Sequence, residues 1–127
     1  MELTVEKLYA IVEGLNTLMD KELPISAAFS VQRNMKVLSN ELEASDKLRD
    51  KIVQKYASEI KEDGTATIPN ENMESFQKEY DELMKHEIGI DIEPILKTQL
   101  GDSIKPKTIA QLSDILADDY KEGEEDV

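Results

Sequence analysis

Apolar side chains recur at Leu8, Ile11, Val12, Leu15, Leu18 and Met19, and this spacing of three and four predicts a helix from Thr4 to Met19 with one buried face. In the short connection Lys21 to Ile25, Pro24 stops any continuation, and Ser26 is placed to cap the next helix. From Ser26 to Glu62 there are 37 residues without glycine or proline, with apolar positions at Val31, Met35, Leu38, Leu42, Leu48, Ile52, Tyr56 and Ile60. A helix over that stretch would be about 55 Å long at ~1.5 Å per residue. The first helix is roughly half as long, so an antiparallel hairpin of the two leaves the far end uncovered. The expected covers are the chain's own shorter helices plus a second copy of the chain, with Leu48, Ile52, Tyr56 and Ile60 in the interface of a homodimer or higher oligomer. The apolar spacing breaks around Ser45, which argues for local packing in two halves over one continuous coiled coil.

Asp63-Gly64 is a turn signal, and Thr65 to Ile68 reads as a short strand before Pro69. Asn70 or Asn72 can cap a third helix whose apolar face is Met73, Phe76, Tyr80, Leu83 and Met84, ending near His86. Ile88, Ile90 and Ile92 alternate with polar or small residues as a half-buried strand does, and Pro94 closes it. Pairing of this strand with Thr65 to Ile68 is expected to give a two-stranded ribbon. After an irregular stretch from Leu96 to Pro106, Thr108 to Gln111 fits a capping box. It would open a short helix with Ile109, Leu112, Ile115 and Leu116 inward. The expected fold is therefore α+β and mainly α: a helical hairpin with one very long arm, a small β-ribbon and two further short helices. Residues 1–117 form one domain, and 118–127 a flexible acidic tail.

Composition narrows the function. The chain of 127 residues is 39% hydrophobic and only 5% aromatic, so its core is aliphatic. It has no cysteine, which removes disulfides, thiol catalysis and cysteine-held metals. No apolar run approaches the ~20 residues needed to cross a bilayer, and a cytoplasmic location is expected. The formal charge of −13 argues against general nucleic-acid binding. Its distribution also weakens mimicry of DNA. Residues 26–62 carry seven bases and six acids, whereas the excess of acid lies in Glu71 to Glu93 and in the tail.

Candidate chemistry is sparse. His86 is the only histidine, and at the end of a helix it suits the dipole there. A carboxylate–histidine metal site from Glu79, Glu82 and His86 can be drawn, but acids so spaced are common in this segment, and no metal or other cofactor is expected. The five glycines are isolated, so no phosphate-cradling loop is present. Phe29, Arg33 and Lys36 lie four and three apart on the long helix, where an aromatic face, a guanidinium and an ammonium suit a small anionic ligand such as a nucleotide. The alternative is that Phe29 packs in the core while the two bases pair with Glu22 or Glu41.

One order of signals is distinctive. Glu22-Leu23-Pro24-Ile25 leads into Ala28-Phe29, then Arg33-Asn34 and Glu41, Lys55-Tyr56, the Asp-Gly turn, Ile68-Pro69, Glu71-Asn72, Phe76, Lys78-Glu79, and Ile90-Asp91-Ile92 before Pro94-Ile95. From about Leu8 to Ile95 this resembles a family of small uncharacterised proteins of tailed phages and prophages of Gram-positive bacteria. The resemblance implies a viral, non-enzymatic protein of the host cytoplasm and carries no functional residues over. The expected role is binding of a host protein to inhibit defence. The alternatives are an oligomeric sponge for an anionic nucleotide signal and a virion accessory or assembly protein.

Overall fold

A computed structural model describes residues 1–101 and 104–117, and its fold is mainly helical with three two-stranded sheets. Strand β1 (Glu2–Thr4) runs into α1 (Val5–Met19), and Thr4 caps that helix through its side chain, which accepts from the Lys7 amide at 3.3 Å. After Pro24 comes α2 (Ile25–Tyr56), the long arm. The chain then forms β2 (Glu59–Ile60), β3 (Ala66–Thr67), α3 (Asn70–Lys85) and β4 (Glu87–Gly89). It ends its described part with β5 (Ile95–Leu96), a 3₁₀ turn at Lys97–Gln99, α4 (Pro106–Leu112) and β6 (Leu116–Ala117). The expected acidic tail lies outside the described residues. Among the described residues no helix is long and apolar enough to cross a membrane.

The long helix stops at Tyr56, six residues short of the expected Glu62. Local hairpin pairing takes over there. Ser58 donates to the Thr67 carbonyl at 2.9 Å and Lys61 to Thr65 at 2.8 Å, while Gly64 takes φ +89° and the Asp63 carboxylate accepts from the Thr65 amide. β3 therefore pairs antiparallel with β2, its neighbour across the turn, and not with the isoleucine strand. Closing so short a loop costs less chain entropy than the distant pairing. The isoleucine strand shortens to β4, which pairs antiparallel with β1, in register Leu3 to Ile88. The apolar spacing starts the first helix at Thr4 and places no strand before it, whereas the structure has β1 at Glu2–Thr4.

Helix starts also differ from expectation. Pro24 and Pro69 occupy the N-cap positions of α2 and α3, so Ser26 and Asn70 lie inside the helices. Asn72 closes the preceding helix: its side-chain amide donates to the Tyr56 carbonyl at 3.0 Å, an acceptor left over at the end of α2. Helix α4 begins at Pro106, a favoured first position, which puts Thr108 within the helix and buried. Leu112 and Ile115 are inward as expected and Leu116 is half-buried, but Ile109 is exposed.

The core lies at one end of the molecule. Leu8, Ile11, Leu15 and Leu18 of α1 pack with Val31 and Leu38 of α2, and Ile90, Ile95, Leu112 and Ile115 close the cluster. Gly14 is where α4 crosses α1; a Cβ there would sit 2.8 Å from Leu112 side-chain atoms, so the helix propensity lost to glycine is exchanged for close helix approach. Beyond Ser45 the character changes. No residue of α2 from Asp46 to Tyr56 is fully buried, and none in α3 is. The break in apolar spacing at Ser45 marks the border between a packed core and a thinner arm.

Tyr9 ties α1 to the start of that arm. Its hydroxyl donates to the Asp46 carboxylate at 2.6 Å, and the Arg49 guanidinium sits 5.3 Å over its ring. Partial burial, then the Asp46 hydrogen bond, push the Tyr9 hydroxyl well above the ordinary tyrosine range. A folded-state pKa above the unfolded one stabilises fully below pH ~10 and is lost as pH rises towards the raised value. Tyr9→Phe should therefore cost about 1 kcal/mol at pH 7, with the gap to wild type closing as urea melts are repeated above pH ~10. A gap independent of pH would remove the hydrogen bond as its source.

Candidate functional site

The three residues expected to hold an anion do share a face of α2, but the structure gives two of them other work. The Arg33 guanidinium lies 5.4 Å over the Phe29 ring and reaches both carboxylate oxygens of Glu93, at 3.1 and 3.2 Å. Neither Glu22 nor Glu41 is its partner. Phe29 is 55% exposed and so does not pack in the core. With Ile25, Ala28 and Gln32 it lines a hollow of about 190 Å³ that includes neither Arg33 nor Lys36. Pockets for small ligands run from about 300 Å³ and carry placed polar groups. The geometry at Phe29 suits an apolar contact better than a nucleotide.

Ile25 and Val37 complete that surface. Ile25, Phe29, Arg33 and Val37 follow one another at intervals of four, and Ile25 and Val37 are 74% and 39% exposed. Sequence reasoning missed both, because neither belongs to the buried stripe of α2. Their signal was the second apolar spacing outside that stripe.

The four residues expected at an oligomer interface separate. Tyr56 packs within the chain, its ring edge-on to Phe76 at 6.3 Å, and Phe76 stacks on Tyr80 at 5.8 Å. Ile60 has left the helix for β2, where it lies beside Arg49, Val53 and Gly64. Leu48 and Ile52 stay together on the floor of an open groove of about 430 Å³ between α2 and α3.

Leu83 adds to the floor of this groove. Lys51 and Lys55 of α2 form one wall, Glu79 and Glu82 of α3 the other, and His86 stands at one end. Lys55 spans the groove to Glu79 at 3.1 Å while lying 5.2 Å over the Tyr56 ring. The Tyr56 hydroxyl, then Lys55, hold the Glu79 carboxyl below its usual range. Its Oε2 is nevertheless shut from solvent without a hydrogen bond of good geometry. Glu79, Glu82 and His86 all line the groove, but no group of three acids or histidines among the described residues is placed to hold a metal ion. The acidic wall was legible in principle: folding the chain back about Gly64 sets Glu79 and Glu82 beside Lys55 and Lys51.

Compared with known proteins, the chain matches no family model, no curated protein and no solved structure.

Proposed function

We propose that this chain is a non-enzymatic interaction protein that associates with itself and binds another protein through the outer face of α2. One observation supports this most strongly: Ile25, Phe29 and Val37 form an exposed apolar stripe around Arg33 on the half of α2 whose opposite side, at Ala27, Val31, Asn34 and Leu38, is buried in the core. Exposed apolar side chains grouped on one face and rimmed by polar residues are the usual mark of a protein interaction site. The stripe has the anatomy of a contact centre, with an aromatic anchor, aliphatic neighbours and an arginine beside them.

The resemblance to small phage proteins supplies a setting, in which the partner is a host protein in the host cytoplasm and the effect of binding is to block a defence system. Expression of the chain in a defended bacterial host should then restore phage infection. The double variant Ile25→Glu, Phe29→Glu should keep wild-type helicity and lose that effect. Full retention of infection rescue by this folded variant would refute the assignment of the stripe.

A further inference from the structure

Helix α3 is amphipathic, with Met73, Phe76, Tyr80, Leu83 and Met84 towards one side, yet none of its side chains is fully buried. The part of α2 packed against it, from Asp46 onward, has no buried side chain either. The two helices form a single layer that touches α1 and leaves the groove open. Half of a helical bundle would look like this.

The charges in the groove choose how the other half is supplied. One wall is cationic and the other anionic, at matching heights: Lys55 bonds Glu79, and because α2 and α3 run antiparallel about the β2–β3 hairpin, Lys51 is level with Glu82 one turn along. We infer that the groove seats the same groove of a second copy about a two-fold axis parallel to the helices. This rests on the self-association proposed above and specifies its face and its axis. Rotation about that axis exchanges the walls and keeps the heights, so Lys51 meets Glu82 of the partner subunit and Lys55 meets Glu79 of the partner subunit. A two-fold axis across the helices would instead stack lysine on lysine, which is repulsive. In the favoured arrangement α2 of each copy lies on α3 of the other, every neighbouring pair is antiparallel, and Leu48, Ile52 and Leu83 from both copies make the interior. The contact is isologous, as closed dimers require.

The charges also give a test that folding effects cannot imitate. Full-length Lys51→Glu and Glu82→Lys are measured by light scattering and native mass spectrometry, singly and as an equimolar mixture, with circular dichroism to confirm helicity. Each variant alone sets like charges at both symmetric contacts, and loss of the dimer is expected. The mixture sets opposite charges at both contacts and should recover a heterodimer of twice the chain mass. Strain within one subunit is not relieved by mixing. If wild type is dimeric but both variants remain so, or the mixture stays monomeric, the groove and axis are overturned while self-association stands. A wild type that runs as one chain up to its solubility limit overturns both.

Discussion

Asn34→Leu should destabilise the protein by about 2 to 4 kcal/mol, because it removes a buried side chain's two hydrogen bonds to the part-buried backbone of Glu93 and gives nothing in return. Asn34 is 1% exposed, and its side chain works like a piece of strand: the amide donates to the Glu93 carbonyl at 2.8 Å, and the amide oxygen accepts from the Glu93 N–H at 2.9 Å. That clip fixes the segment after β4 against α2 and so places Ile92 and Ile95 on the core. Leucine fills a similar volume and leaves both Glu93 groups unpaired, so the loss reports the polar contacts and not a cavity. A fall in Tm of about 10 °C is expected for a chain of this size. Arg33 beside it is the control. Its ion pair with Glu93 is exposed on both sides, so Arg33→Gln should cost less than about 1 kcal/mol. Thermal and urea melts of the two variants decide the matter, and equal losses would mean that Glu93 is held by charge.

This contrast shows where the sequence was readable. A charged residue at helical spacing from an aromatic one invites a ligand, and Arg33 was read that way; a neutral asparagine in mid-helix carries no such signal, although it has the larger structural task. The hairpin and the packed face of α2 were legible because Val31 and Leu38 repeat with α1's Leu8, Leu15 and Leu18 at a period that leaves few options. The end of α2 was not. Residues 57–62 have ordinary helical propensity, and the decision to leave the helix belongs to the turn at Asp63-Gly64 and to Asn72, which lies sixteen residues beyond the Tyr56 carbonyl it closes. The pairing of β1 with β4 was hidden for the same reason. Three residues at one end of the chain meet three that lie more than eighty positions away. The groove was half legible: its α2 floor was read from the apolar stripe, and its α3 wall appears only once the hairpin is closed.

The stripe of α2 also sets up the largest expected difference between two like residues. Leu38 and Leu48 lie ten positions apart on one helix, the first with 0% and the second with 51% of its surface exposed. Leu38→Ala should cost about 3 to 4 kcal/mol, since it removes a fully enclosed side chain between α1 and α2 and leaves a cavity its neighbours cannot fill. Leu48→Ala should cost less than about 1 kcal/mol when urea unfolding is followed at protein concentrations too low for association. The midpoint should then depend on concentration in wild type, because folding coupled to pairing gains from mass action, and lose much of that dependence in Leu48→Ala. Leu38→Ala keeps the groove and should retain the dependence at lower overall stability. Comparable losses at both positions would mean that the arm is packed as tightly as the core, and the division of α2 at Ser45 would have to be given up.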